Sequence, residues 1–135
     1  MCIRDSLNFV ASIYGVDRRY VTDFVADFSE LGPYLDAPVS TYSSGMQARL
    51  AFGMSMAIEF DFYLIDEVLA VGDARFQARC KQAINERRKR SGLMLVSHGI
   101  GNVKAICDRA AILKDGKLTL FDDVDNAIEA YKKSY

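Results

Sequence analysis

The sequence lacks an excess of charge of either sign. Its 17 basic and 18 acidic residues leave a net charge of −1 at pH 7. Domains that bind nucleic acid usually carry a basic excess or one basic face, and this composition shows no basic excess. We therefore expect no nucleic acid among the partners of this chain.

Cysteine is scarce and long apolar runs are missing. The three cysteines, Cys2, Cys80 and Cys107, are odd in number and widely spaced. This pattern argues against a disulfide framework or a cysteine-ligated metal site and favours reduced cytosolic thiols. No apolar run approaches the roughly 20 residues that a helix needs to cross a bilayer. Any role at a membrane is therefore predicted to be peripheral.

The chain does have the composition of a packed domain, since 50% of its residues are hydrophobic and 26% are charged. Apolar residues recur at helical spacing from Leu7 to Leu35, with a break near Gly15. Residues 1–6 show no such spacing and are predicted not to be the native start. The aromatic residues of the helical region are expected to lie mostly in the core: Phe9, Tyr14, Tyr20, Phe24 and Phe28.

Further along the chain, short apolar strands alternate with helices. The alternation predicts an α/β fold with a mostly parallel sheet. We divide the chain into a helical portion, residues 7–58, and an α/β portion, residues 59–135. The expected elements are a helix beginning at Ser43, a strand over 60–65, a helix over 74–90, a strand over 93–96, a helix over 100–107, a hairpin over 110–121 and a last helix over 124–135.

Two acids follow the first predicted strand directly. Asp66 and Glu67 end its apolar run, an arrangement in which one acid can hold magnesium and the other can handle an attacking water. The single histidine, His98, follows the second predicted strand. Because ligands bind at the carboxyl ends of parallel strands, we expect the three residues at one edge of the sheet. The acid pair alone would also fit a strand that simply leaves the core into a charged loop.

A third segment, Tyr42-Ser43-Ser44-Gly45-Met46, places small residues where a helix begins. Free backbone N–H groups at a helix start can meet an anion. Taken alone, the segment is typical of a helix cap formed by Ser43 or Ser44. The order of the three features along the chain is what indicates a shared function.

In that order, the features resemble the motifs of the ABC ATPases. Residues 42–50 look like the signature motif of that family, and Asp66 and Glu67 look like its Walker B acids. Asp73 resembles the D-loop acid and His98 the switch histidine. The similarity runs from about Asn8 to the end of the chain.

Departures from the common motifs indicate a subgroup. Most ABC ATPases carry Leu-Ser-Gly-Gly-Gln, whereas this chain has Tyr42, Ser44 and Met46 at the first, third and fifth places. Residues 68–73 also replace the usual Pro-Thr-Ser-like stretch. Both variants are similar to the ATP-binding subunits of polysaccharide exporters, and residues 30–45 resemble those of capsule exporters most.

The resemblance implies the C-terminal part of a P-loop NTPase domain with part of its helical subdomain. Subunits of that family pair head to tail around ATP, on the cytoplasmic face of the inner membrane and against permease subunits. By this resemblance, Asp66 would contact Mg²⁺ through water, Glu67 would polarise the attacking water, and His98 would contact the γ-phosphate. Ser43, Ser44 and Gly45 would contact the nucleotide of the partner subunit. Asp73 would link the two nucleotide sites of the dimer.

These 135 residues contain no G-x-x-x-x-G-K-[ST] phosphate loop. Without the amides and lysine of such a loop, the chain is expected to bind ATP poorly and to be inactive alone, as a truncated version of a longer subunit. The family docks the coupling helices of its membrane subunits on the helical region, residues 7–35. One or two of the aromatic residues there could line that groove.

Other function classes stay open. An ABC ATPase of another exporter or of DNA maintenance would share the signature, the paired acids and the histidine. DNA-acting members usually add long coiled-coil insertions and basic surfaces, which this sequence lacks. A non-catalytic docking fragment would keep the helical portion for a membrane partner and would tolerate the loss of Asp66 and Glu67.

Overall fold

The computed structural model describes residues 3–66 and 72–134. Within these ranges the chain forms six α-helices and four strands. They divide into two compact units. The first unit comprises the described residues 3–61 and 72–83, and the second unit comprises residues 62–66 and 84–134.

The first unit begins with two helices, α1 (Ile3–Tyr14) and α2 (Arg18–Ser29). Gly15, whose φ is +66°, ends α1 in a conformation that glycine adopts without steric cost. Asp17 begins α2 as its N-cap, because its carboxylate accepts a hydrogen bond from the Tyr20 N–H at 2.8 Å. The predicted pair of short helices and the break between them are confirmed.

Helix α1 buries a face that differs from the expected one. Ile3, Leu7 and Ala11, spaced by four residues, are all at most 1% exposed. Phe9 and Ile13 are 63% and 59% exposed, because a residue two positions away lies on the far side of a helix. The stripe begins at Ile3, so the helical spacing extends into the segment that sequence analysis set aside.

The expected core role of the aromatic residues is wrong for three of the five. Tyr14 and Tyr20 are 53% and 46% exposed, and Phe9 on α1 is exposed as well. Phe28 is buried and stacks on Phe24 at a ring-centroid distance of 5.6 Å. The aliphatic residues on the facing sides of the helices occupy the core in place of these rings.

Two 3₁₀ helices, Gly32–Asp36 and Val39–Thr41, lead to α3 (Ser44–Ala57). Helix α3 begins next to the residue predicted to start it, Ser43. Together these elements close one core in the first unit. Its buried members are Ile3, Leu7, Ala11, Val21, Val25, Leu31, Leu35, Tyr42, Leu50, Ala57 and Ile58.

The second unit contains two separate two-stranded sheets. Strand β1 (Phe62–Asp66) pairs in parallel with β2 (Gly92–Val96). Strand β3 (Ala110–Lys114) pairs antiparallel with β4 (Lys117–Phe121), across a turn in which Asp115 and Gly116 both have positive φ. Two positive φ values suit the tight turn of a hairpin.

The remaining helices are α4 (Ala74–Arg87), α5 (Ile100–Ile106) and α6 (Val124–Ser134). The boundary between the two units falls within α4. All predicted strands and helices are confirmed. From α3 onward their ends shift by up to three residues, whereas α1 begins four residues before Leu7. The α/β class with a parallel sheet is confirmed as well. Among the described residues, no helix is long and apolar enough to cross a membrane.

Candidate functional site

One edge of the β1–β2 sheet carries two of the predicted site residues. Asp66 is the last residue of β1 and pairs in register with Val96, the last residue of β2. His98 follows two positions later. The side chains of Asp66 and His98 are both exposed. Parallel pairing thus brings the carboxyl ends of both strands to the same edge, as the sequence predicted.

Local hydrogen bonds hold the backbone around His98. The Ser97 hydroxyl accepts a hydrogen bond from the Gly99 N–H at 3.0 Å. Gly99 is the N-cap of α5, and its carbonyl accepts from the Asn102 N–H at 2.9 Å. These contacts fix the turn between β2 and α5, on which His98 lies. Glu67, the predicted second acid, falls in residues 67–71 and lies outside the described residues.

The predicted signature turn, Ser43–Gly45, lies in the first unit at the start of α3. The Ser43 hydroxyl accepts a hydrogen bond from the Met46 N–H at 3.2 Å, and the Ser43 carbonyl accepts from the Gln47 N–H at 2.9 Å. Ser43 is therefore the N-cap of α3, as predicted when the segment was interpreted as a helix cap. All three residues are exposed, and a helix start leaves its first N–H groups without partners inside the helix.

Gly45 is not required by the packing of this chain. A Cβ atom at this position would meet only the Ser43 hydroxyl, at 3.9 Å, an ordinary contact distance. Glycine in a helix costs roughly 0.5–1 kcal/mol relative to alanine. A glycine at this point is thus consistent with a group that approaches the backbone from outside.

Asp73 lies in the first unit and uses both carboxylate oxygens within the chain. One oxygen accepts a hydrogen bond from the Phe76 N–H at 2.9 Å at the start of α4, and the other accepts from the Arg49 guanidinium at 3.0 Å. The hydrogen bond from Phe76, aided by the positive charge of Arg49, lowers the pKa of Asp73. The side chain is nevertheless 66% exposed.

An ion-pair network around Arg49 was missed by sequence reasoning. Arg49 reaches Asp73 at 3.0 Å and Glu30 at 3.4 Å, and its guanidinium lies 4.5 Å from the centre of the Phe76 ring. Glu30 also accepts from Arg75 and Arg79 at 3.1 and 3.2 Å. The partners are 19 to 49 residues apart in sequence. No local spacing signals such contacts, so only the fold could reveal them.

Tyr42 is the second contact that sequence reasoning missed. It is 6% exposed, and its hydroxyl donates a hydrogen bond to the Tyr34 carbonyl at 2.5 Å. Burial, with a smaller effect of the Asp36 charge, raises the pKa of the Tyr42 phenol. The hydroxyl therefore stays protonated and remains a donor at neutral pH.

Comparison with known proteins agrees with the motifs, although no family model matches the chain. The chain is 50% identical to the ATP-binding protein BexA of Haemophilus influenzae, over 96% of this chain and 60% of that protein. It is 53% identical to the capsule polysaccharide export ATP-binding protein CtrD of Neisseria meningitidis serogroup B, over 94% of this chain and 59% of that protein. The chain thus spans about three fifths of the length of these curated relatives.

A solved structure of the ATP-binding subunit of an ABC transporter matches with a TM-score of 0.80 at 20% identity. The match covers 96% of this chain and 57% of that chain. At this identity the likeness concerns the fold alone, which this chain shares with part of that ATP-binding subunit. The predicted resemblance to the ATP-binding subunits of polysaccharide exporters is confirmed by the curated relatives.

Proposed function

We propose that this chain is the C-terminal part of an ATP-binding subunit whose ATP hydrolysis powers export of a cell-surface polysaccharide, with capsule as the favoured polymer. Similarity to BexA and CtrD over nearly the whole chain supports this assignment. The observation that carries it is the parallel register of β1 and β2, which brings Asp66 and the segment of His98 to one sheet edge.

The residues at that edge fit a magnesium-bound nucleotide. Mg²⁺ keeps several waters and takes only one or two carboxylates besides phosphate oxygens. The exposed Asp66 carboxylate suits such a contact. Among residues 3–66 and 72–134, no group of three or more ligating side chains could hold a metal alone. When bound, ATP would supply the phosphoryl group, and Mg²⁺ would neutralise the charge that develops during transfer.

The protein side chains then have separate tasks. Glu67 polarises the attacking water. His98 donates a hydrogen bond to a terminal phosphate oxygen and thereby orients the phosphoryl group. Asp66, one residue before Glu67, supplies negative charge at the end of β1.

The signature turn serves the nucleotide of a second subunit. In a head-to-tail homodimer, Ser43, Ser44 and Gly45 present a hydroxyl and free helix N–H groups to the phosphates bound by the partner. The exposure of the turn and the spare room at Gly45 support this role. Ser44 adds a side chain near the phosphate. Asp73, which accepts a hydrogen bond at the start of α4, links the two nucleotide sites of the dimer.

The membrane partner is a permease that spans the inner membrane, with this subunit on its cytoplasmic face. Exposed apolar side chains on α1 support a docking surface in the first unit. Phe9 and Ile13 lie one turn apart on the same helix and are both more than half exposed. Such side chains are the kind that a partner's helix would cover.

The experiment uses a longer subunit that carries this sequence behind a phosphate loop. We expect Glu67→Gln and His98→Ala each to lower ATP turnover by roughly 100-fold or more, while nucleotide binding is retained. Glu129→Gln, on the exposed side of α6, is the matched control and should leave turnover unchanged. Full turnover in Glu67→Gln would contradict the proposal, as would turnover by the 135-residue chain alone.

A further inference from the structure

The exposed signature turn is attached to a buried tyrosine. Tyr42 lies directly before Ser43, and its ring belongs to the core of the first unit together with Leu35 and Leu50. Its hydroxyl reaches back eight residues to the Tyr34 carbonyl at 2.5 Å. One side chain thus connects the turn to the 3₁₀ helix Gly32–Asp36.

The backbone of Tyr42 is held as well. Its N–H donates to the Val39 carbonyl at 3.0 Å, and its carbonyl accepts from the Gln47 side-chain amide at 3.4 Å. The next residue, Ser43, accepts the Met46 N–H and begins α3. Every polar group of Tyr42 is therefore engaged next to a turn whose own side chains face solvent.

One side of this region is open to solvent. A cavity of about 320 Å³ is lined by residues 30–34 together with Met46 and Arg49. Residues 32–34 of the 3₁₀ helix and Met46 in the first turn of α3 both border this open space. A directional hydrogen bond can hold two segments in one arrangement where side chains do not fill the gap.

We propose that Tyr42 is a positioning residue for the signature turn, and that its hydroxyl fixes Ser43–Gly45 against the 3₁₀ helix Gly32–Asp36. The inference rests on the proposed function, in which this turn meets the phosphates of a partner's nucleotide. Leucine, which most ABC ATPases carry at this place, could fill the core but could not donate to the Tyr34 carbonyl. The tyrosine keeps the core packing of its ring and adds a bond with a defined direction.

The first test uses the 135-residue chain and needs no nucleotide. Tyr42→Phe removes only the hydroxyl, and Tyr34→Phe is the control, because the Tyr34 ring is 58% exposed and its carbonyl is retained. We expect amide hydrogen exchange at Met46 to be roughly threefold to tenfold faster in Tyr42→Phe and unchanged in Tyr34→Phe. Equal Met46 exchange in Tyr42→Phe and the parent would overturn the inference.

If Tyr42→Phe fails to fold, the hydroxyl proton of Tyr42 in the parent chain provides the test instead. A hydrogen-bonded phenol in the core shows a hydroxyl proton that NMR resolves and that exchanges slowly with water. Detection of that proton for Tyr42 supports the inference. A Tyr42 hydroxyl that exchanges as fast as that of free tyrosine overturns it.

The second test uses the longer subunit with its phosphate loop. We expect Tyr42→Phe to lower kcat by roughly tenfold with little change in KM for ATP, at every temperature below unfolding, and Tyr34→Phe to match the parent. A purely structural defect would instead disappear on cooling, as the folded fraction recovers. An unchanged kcat in Tyr42→Phe overturns the inference. Absence of turnover in the parent would count against the proposed function, while Met46 exchange still decides the role of Tyr42.

Discussion

The two units of the chain differ in how far they bury their apolar side chains. In the first unit, Leu7 and Val25 are at most 1% exposed and belong to one continuous core. In the second unit, Leu64 on β1 and Leu120 on β4 are 76% and 74% exposed. The first unit therefore buries aliphatic side chains in one core of its own and leaves mainly helix-surface residues such as Phe9 and Ile13 exposed, whereas the second unit leaves apolar strand surface in contact with water.

The pattern within the second unit shows where this surface lies. Burial alternates along β1, with Tyr63 and Ile65 buried and Phe62 and Leu64 exposed. Strands that are apolar on both faces are typical of sheets covered on both sides. The composition of β1 thus calls for two covering layers, while the chain buries one face.

The largest expected effect tests the core of the first unit. Leu7→Ala should lower the free energy of unfolding by roughly 2–5 kcal/mol, because it removes buried methyl groups and leaves a cavity. Leu64→Ala in the second unit should change it by less than about 0.5 kcal/mol, because that side chain is already exposed. Urea denaturation of both variants measures the difference. Equal losses would remove the contrast between the units.

The next prediction compares two thiols, one in each unit. Cys80 is 1% exposed, and burial raises its pKa to about 11. Burial also raises the pKa of Cys107, which is only half-buried. Because the thiolate is the reactive form, maleimide should modify Cys107 at least roughly tenfold faster than Cys80 at pH 7.5.

The thiol comparison is best made in a Cys2→Ser background, which leaves the two described cysteines. Mass spectrometry of quenched samples follows each site separately. The two rates should converge in concentrated urea, where neither thiol is protected. Rapid native labelling of Cys80 would show that the first unit opens more readily than its burial indicates.

A smaller effect is expected from the exposed strand surface. Leu118 and Leu120 lie on one face of the β3–β4 hairpin, opposite Leu113 and Ala111 in register. Apolar strand faces next to open edges favour association between chains. Leu120→Lys should therefore raise the concentration at which light scattering detects association, by roughly severalfold. Phe9→Lys on α1 is the control, and an equal shift there would assign association to helices as well.

The smallest expected effect is on how the stability of the first unit depends on pH. The pKa of Asp73 is lowered from its ordinary value of 3.8, so folding favours the ionised carboxylate. Its contribution to stability is then present above about pH 4 and is lost as the pH falls through the lowered pKa. Urea midpoints measured from pH 5 to pH 2 should therefore fall less steeply in Asp73→Asn than in the parent. Identical slopes would contradict a stabilising role for this carboxylate.

Much of the fold could be predicted because its signals are local. The break at Gly15, the cap at Ser43 and the hairpin over 110–121 each depend on neighbouring residues, and all were predicted from the sequence. The shared edge of Asp66 and His98 followed from one general property of parallel sheets. The buried face of α1 was predicted wrongly: Phe9 and Tyr14 were expected in the core, whereas Ile3, Leu7 and Ala11 occupy it.

The sequence by itself determined the order of helices and strands, the motif residues and the resemblance to the ATP-binding subunits of exporters, since these depend on residue type and short-range spacing. Tertiary structure alone decided the contacts between distant segments. Examples are the Arg49 bonds to Glu30 and Asp73, the Tyr42 bond to the Tyr34 carbonyl and the pairing of Gly92 with Phe62, where a Cβ would lie 2.2 Å from the Phe62 ring. The physical reason is that such contacts depend on how folded segments meet in space, which no local pattern encodes.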